Sequence, residues 1–180
     1  MAFEFDFLNY LQTLQNPVLT KIMYFFTLLG EGGAFFILMG VALFFFKKTR
    51  KCSIMILLSL LFGLIIGNGI LKNVIQRIRP CDVNTAFSLI IKHPSDKYSF
   101  PSGHTLAAFE FAFSIFIFDK KWGIGAIVLA SLVAFSRLYF YVHFPTDIIG
   151  GIVVAVITVY LACITLKAFS KTKIYKKYVE

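Results

Sequence analysis

The apolar positions of this chain fall into long blocks separated by short polar breaks. Residues 22–46 are almost wholly apolar apart from Gly30-Glu31-Gly32-Gly33, and further apolar runs cover 54–71, 105–118, 124–141 and 148–166. A helix needs about 20 consecutive apolar residues to cross a bilayer. The pattern therefore predicts an all-α fold, a polytopic membrane helix bundle of five transmembrane helices. The 22–46 block reads as one tilted helix, because two helices cut from it would each be too short to span. Residues 1–17 follow a different pattern. Phe5, Phe7, Leu8 and Leu11 interleave with Glu4, Asp6, Asn9 and Gln12 ahead of Pro17, as in an interfacial amphipathic helix. No internal repeat is visible, so residues 1–180 read as one membrane-embedded domain.

Composition agrees with the blocks. Hydrophobic residues make up 58% of the chain and charged residues 15%, too little charge to coat a soluble domain of this length. The net charge of +9 fits either nucleic acid or a membrane surface, and its distribution separates the two. Lys47, Lys48, Arg50 and Lys51 form one cluster, Lys120 and Lys121 a second, and Lys167, Lys171, Lys173, Lys176 and Lys177 a third. Each lies just beyond an apolar run, where positive-inside residues hold a helix end on the cytoplasmic side. This argues against a nucleic acid partner and places the 167–180 basic tail in the cytoplasm. The N-terminus and the 80–100 loop then lie outside. Six helices with a cytoplasmic N-terminus is the alternative, and it leaves 72–104 and 137–147 on the outer face as well. The N-terminus lacks the basic region of a cleavable signal peptide. Cys52, Cys81 and Cys163 are too scattered for a disulfide framework or a zinc site.

Basic residues are expected to be scarce on the outer side, yet Lys72, Arg77, Arg79 and Arg137 fall there. Seven residues of helix would bring Lys72 and Arg79 within about 20° of one face. That pair can hold an anion, or its members can snorkel to lipid headgroups. Arg77 lies off that face and suits the snorkelling role. In Pro101-Ser102-Gly103-His104, just ahead of an apolar run, Ser102 is a good helix cap. The free N–H groups behind it can take a phosphate, and Gly103 permits close approach. His104 there suits acid–base work, although a lone histidine is more often structural. In Ser136-Arg137…His143…Asp147, Pro145 starts a helix with Asp147 in its first turn. Asp147 can orient the imidazole of His143 in the manner of a catalytic triad, or it can merely cap the helix.

Lys72-x6-Arg79-Pro80, Pro101-Ser102-Gly103-His104 and Ser136-Arg137-x5-His143-x3-Asp147 stand in the order and spacing of a tripartite signature. On these residues, from Lys72 to Asp147, the chain resembles the membrane branch of the type 2 phosphatidic acid phosphatase superfamily. The resemblance implies a lipid phosphatase with His143 as the nucleophile forming a phosphohistidine, oriented by Asp147. His104 is the implied general acid, and later the base for water. Lys72, Arg79, Ser102, Gly103 and Arg137 are the implied phosphate ligands. The implied partners are a phosphorylated or diphosphorylated lipid and the bilayer. No obligate protein partner is implied. No cofactor is expected and no metal, since the cations supply the electrostatics and no Asp/Glu cluster is present to hold an ion. Among such small chains the resemblance is to bacterial undecaprenyl diphosphate phosphatases, with phosphatidylglycerophosphate, phosphatidate and lipid A phosphates as alternative substrates.

Glu31 and Glu110 read as intramembrane acids, and so as residues that act on the site from behind its phosphate ligands. Glu110 could tune a proton path or line a lipid groove, or could bond a neighbouring helix. Two other classes compete. Vanadium-dependent haloperoxidases resemble the same family but are soluble. A non-enzymatic lipid-binding or transport protein would have no need of His104, His143 and Asp147 together.

Overall fold

The computed structural model describes residues 2–86 and 89–171. All its regular elements are helical, with one isolated antiparallel bridge between Ile78 and Tyr98. Lys173, Lys176 and Lys177 of the basic tail lie outside the described residues. The helices are α1 (Ala2–Thr13), α2 (Pro17–Leu29), α3 (Ala34–Phe44), α4 (Arg50–Gly63), α5 (Lys72–Ile75), α6 (Pro80–Val83), α7 (Gly103–Phe118), α8 (Lys120–Tyr139) and α9 (Pro145–Phe169).

Among the described residues, three helical stretches are long and apolar enough to cross a membrane: Lys47–Ile75, Lys120–Tyr139 and Pro145–Phe169. The first joins α4 to α5 through a π-helical segment, Leu64–Leu71. Helix α7 is apolar but only 16 residues long. The expected single helix over 22–46 is not continuous. Helices α2 and α3 meet at a 43° bend, across a 3-10 turn in which Gly32 and Gly33 both adopt positive φ. Two successive left-handed residues cannot continue a right-handed helix, and glycine takes that conformation without a Cβ clash. Counted as one bent span, α2–α3 would be the fourth.

Helix α7 lies at the centre, packed against α4, α8 and α9, with α3 against α4 and α2 against α8. Small residues permit this closeness. Ala108, Ala112, Ala130, Ala155 and Ala162 are all buried, and a Cβ on Gly123 would fall 2.3 Å from the Phe116 backbone. Tight backbone approach is how helices associate where no water drives them together. Helix α1 docks on the α8–α9 connection through buried Leu8 and Leu11. Asn9 accepts from the Tyr141 hydroxyl at 2.8 Å, and Gln12 donates to the Tyr139 carbonyl at 3.2 Å. By chain order, the α5–α6, α6–α7 and α8–α9 connections collect at one end of the bundle. The turns carrying Lys47–Thr49 and Lys120–Lys121 fall at the other.

Candidate active site

The chain enters the site at the end of α5, and not by the route the seven-residue spacing implied. Lys72 and Arg79 do not share a helical face. The helix stops at Ile75, Gln76 turns left-handed at φ 50°, and Arg79 is extended. Pro80 begins a new short helix, α6. The two cations converge because Ser99 N donates to the Arg77 carbonyl at 2.8 Å and Ile78 bridges Tyr98, which folds the 95–99 segment back over them.

Arg79 is 1% exposed, and its guanidinium is held on all sides. Nη1 donates to the Val142 carbonyl at 2.9 Å and meets His143 Nε2 at 3.2 Å. Nη2 donates to the Tyr98 carbonyl at 3.0 Å and to Asp96 Oδ1 at 2.7 Å, and Nε donates to the Asp96 carbonyl at 3.1 Å. A guanidinium can only donate, so the Nε2 it meets is the unprotonated nitrogen of His143. The proton of the neutral imidazole then sits on Nδ1, 3.5 Å from Asp147 Oδ2. This approach is long and poorly aligned, and Nδ1 makes no hydrogen bond, a looseness common in unliganded catalytic sites. Burial, reinforced by the charges of Arg79, Arg137 and Lys72, holds the His143 imidazole well below the ordinary histidine range.

Asp147 is anchored more firmly than His143. Its Oδ2 accepts from the Phe144 amide at 2.8 Å and its Oδ1 from Arg77 Nη1 at 2.7 Å. Arg77 also reaches Glu4 Oε2 of α1 at 2.8 Å and lies 4.1 Å over the Phe144 ring. Arg77 is thus no snorkelling residue; it braces the carboxylate behind His143. Its sequence signal was its place on the wrong side for a basic residue, but its partners lie 70 and 73 positions away.

At the start of α7, Ser102 caps the helix and is fully buried, with Oγ facing the Thr105 amide at 3.5 Å and accepting from the Thr105 hydroxyl at 3.0 Å. Its own amide donates to the Asp147 carbonyl at 3.1 Å, tying α7 to α9. Ser102, expected to contact phosphate, is fully buried and does not itself line the cavity. Gly103 and His104 do face the cavity. Nε2 of His104 is unpartnered, 3.6 Å from Glu31 Oε2. A Cβ on Gly30 would stand 2.4 Å from the His104 ring.

Lys72, Arg79, Gly103, His104, Arg137 and His143 line one cavity of about 970 Å³. Arg137 is buried on α8 and donates from Nη1 to Thr27 Oγ1, leaving Nε unpartnered. Asn68, on the π-helical segment, also lines this cavity beside Gly103, with its Oδ1 buried and unpartnered. A π turn often marks a functional position, but nothing in the local sequence announces one here. Glu31 lies at the cavity mouth, 75% exposed on its side chain. Glu110 lies deep in the cavity, where Thr158 Oγ1 of α9 donates to it at 2.6 Å. It thus both lines the groove and bonds a neighbouring helix. The flank between α2–α3 and α4 is lined by Leu28, Ile37, Leu57, Leu60, Leu61 and Leu64.

Near this wall Cys81, Asp82 and His93 converge. Both His93 nitrogens are engaged, Nε2 with Asp82 Oδ1 at 2.7 Å and Nδ1 with the Pro94 carbonyl at 2.9 Å. This is the pattern of an imidazolium–carboxylate pair, and the Asp82 hydrogen bond raises the His93 pKa accordingly.

The family model of the PAP2 superfamily matches residues 52–171, which takes in every part of this site except the contributions of α1, α2, α3 and the turn between the last two. The undecaprenyl-diphosphatase of Sulfolobus acidocaldarius is 36% identical over 110 residues, 61% of this chain and 52% of that protein. The undecaprenyl-diphosphatase BcrC of Bacillus subtilis is 32% identical over 146 residues, 81% of this chain and 74% of its own. Among solved structures, the transmembrane PAP2-type phosphatidylglycerolphosphate phosphatase of Bacillus subtilis superposes with a TM-score of 0.74 at 25% identity. That match covers 96% of this chain and 88% of the other. With the three-part signature gathered in one cavity of a helical membrane protein, the chain belongs to the PAP2 superfamily.

Proposed function

We propose that the chain is an integral membrane lipid phosphatase that acts through a phosphohistidine on His143, with undecaprenyl diphosphate, cleaved to undecaprenyl phosphate, as its substrate. The observation that carries this reading is the single cavity, cationic and bearing two histidines at one end, leucine-lined along its flank. A cationic end matches a phosphate headgroup and an apolar flank matches a lipid chain. The choice of lipid rests on the likeness to the two undecaprenyl-diphosphatases.

In this reading the Nε2 lone pair of His143 attacks the terminal phosphorus and the bond to the leaving oxygen breaks. Arg79 Nη1, which meets Nε2 at 3.2 Å, turns its proton to a phosphoryl oxygen. As Nε2 bonds to phosphorus the imidazole becomes cationic, and Asp147 balances that charge. His104 gives a proton to the leaving oxygen and then takes one from water. The water attacks phosphorus, the P–N bond breaks, and phosphate leaves with His143 restored. Lys72, Arg79, Arg137 and the Gly103 amide face the charge that shifts onto the phosphoryl oxygens, which is where preorganised donors accelerate such a reaction. That cationic set provides the role a metal ion plays elsewhere.

The topology that goes with this reading has five spans, with α2–α3 as one bent span and α7 as the shortest. The site lies on the outer face and the C-terminus in the cytoplasm. The basic turns at the end away from the site support that sidedness. The test is phosphate release by purified protein in detergent, with His143→Ala as control. Undecaprenyl diphosphate, phosphatidylglycerophosphate, phosphatidate, a lipid A phosphate and a water-soluble ester form the panel. The expected result is release from a lipid that the variant abolishes. Strong preference for the soluble ester would sink the lipid reading, and an active variant would sink the nucleophile.

A further inference from the structure

The cations assigned to substrate phosphate already hold an anion, and that anion is part of the chain. Asp96 places Oδ1 2.7 Å from Arg79 Nη2 and Oδ2 against Lys72 Nζ. One carboxylate thus bridges the two side chains much as two phosphoryl oxygens would. The same guanidinium that holds Asp96 meets the His143 nitrogen through its other terminal amine. The bridging carboxylate is therefore one guanidinium away from the reacting nitrogen.

Exposure separates the lock from its occupant. The Lys72 and Arg79 side chains are 10% and 1% exposed, whereas that of Asp96 is 45% exposed. The cations form the floor, and Asp96 lies on its open side, in the wall of the cavity shared with His104 and His143. Arg79 has a further hold on this segment that does not depend on the carboxylate. Its Nε and Nη2 donate to the carbonyls of Asp96 and Tyr98. The side chain can therefore swing away while the backbone keeps the guanidinium in place.

We infer that the Asp96 carboxylate is an internal stand-in for the substrate's phosphoryl group, so that phosphate must displace it from Lys72 and Arg79. Asp96 then sets the affinity of the site for phosphate. Without that carboxylate, two buried cations would face each other and Arg137 with no acid in direct ion-pair contact among the described residues, a costly arrangement. With Asp96 in place one of these positive charges is balanced, and the substrate must offer more than one carboxylate offers. A phosphate dianion with three acceptor oxygens meets that condition, and a singly charged headgroup meets it poorly. Asp96 is on this account a specificity-determining residue that favours terminal phosphates over weakly charged esters. The inference rests on the phosphate-binding reading of the site.

The test uses inorganic phosphate as the ligand and needs no turnover. Its binding to the full chain in detergent is measured by titration calorimetry for the parent, Asp96→Asn and Asp96→Glu. Asn keeps the shape and removes the competing charge, while Glu keeps the charge. The expected result is binding roughly tenfold tighter for Asp96→Asn, the equivalent of one charge-assisted contact no longer broken on entry, with Asp96→Glu near the parent. Equal or weaker binding by Asp96→Asn would overturn the inference and make Asp96 a residue that holds the cations in position. Failure of all three proteins to bind phosphate would overturn it too. Loss of lipid hydrolysis alone, with phosphate still bound, would count against the phosphatase reading and leave this one standing.

Discussion

Arg77 offers the sharpest test of how the site is braced. Arg77→Ala removes the 2.7 Å bond to Asp147, the 2.8 Å bond to Glu4 and the stacking on Phe144. Asp147 is fully buried, so its arm resembles a buried pair whose loss leaves a charge unmatched. Such losses reach about 3–5 kcal/mol, reduced here because the Arg77 side chain keeps some exposure and the Phe144 amide still holds Oδ2. The Glu4 arm is nearer the surface and adds about 0.5–1 kcal/mol. A total near 3 kcal/mol is expected in chemical denaturation or thermal unfolding. The effect on turnover is separate. Asp147 would keep one of its two anchors, so the imidazole would lose alignment without losing its carboxylate. A fall in kcat of roughly 10- to 100-fold is expected, well short of the ~10⁴ seen when a triad carboxylate is neutralised. Arg77→Lys should recover only part of either loss, since a single amine cannot span Asp147 and Glu4 or stack as a guanidinium does. The assay is phosphate release alongside a melt. A variant with kcat within twofold of the parent would refute the bracing argument, whatever its stability.

Other outcomes follow from close contacts and from charge. Gly30→Ala suits the backbone, whose φ is −85°, but its Cβ would stand 2.4 Å from the His104 ring. Kinetics should show at least a tenfold loss of kcat, with an overpacking cost of about 1–3 kcal/mol in the melt, and an unimpaired variant would mean that His104 is not held where it acts. Gly63→Ala would bring a methyl 2.2 Å from Glu110 Oε1, an overpacking cost of about 1–3 kcal/mol, read as a lowered Tm. Unchanged melting would show that Glu110 has room to move. For His143, the depressed folded-state pKa means that the unfolded chain takes up the proton first as pH falls below about 6.5. With no phosphate ligand added, the imidazole nitrogen signals should remain those of the neutral form at pH 6, and stability should decline as pH falls through that window. A His143 half-protonated near pH 6.5 would contradict its burial among cations.

The parts of the site carried by local spacing were legible in the sequence. Pro145 and Asp147 start a helix in the register that puts the carboxylate behind His143, and Ser102 caps α7 as its neighbours require. What depended on the path of the backbone was not. Nothing near Gln76 foretells its left-handed turn, so Lys72 and Arg79 looked like one helical face when a folded-back segment brings them together. Gly32 and Gly33 were visible as a polar break, but the length argument favoured one helix over a bent pair. Arg77 and Asp96 needed partners far away in sequence. Arg77 could be suspected only as a basic residue on the wrong side, Asp96 carried no local signal at all, and no spacing rule names the other half of either pair.

The grip on Arg79 is largely main chain, through the carbonyls of Val142, Tyr98 and Asp96. A carbonyl persists whatever side chain its residue bears. The positions that orient this guanidinium can therefore drift in identity while their geometry is inherited, provided the backbone keeps its course. Mutational scanning should find Tyr98 tolerant in chemistry, Val142 tolerant among apolar side chains of its size because it is fully buried, and both intolerant of proline insertions or length changes beside them. Part of the site's heritable information is thus stored in how many residues separate its parts and where the chain bends, and two relatives can share it at positions where they share no letter.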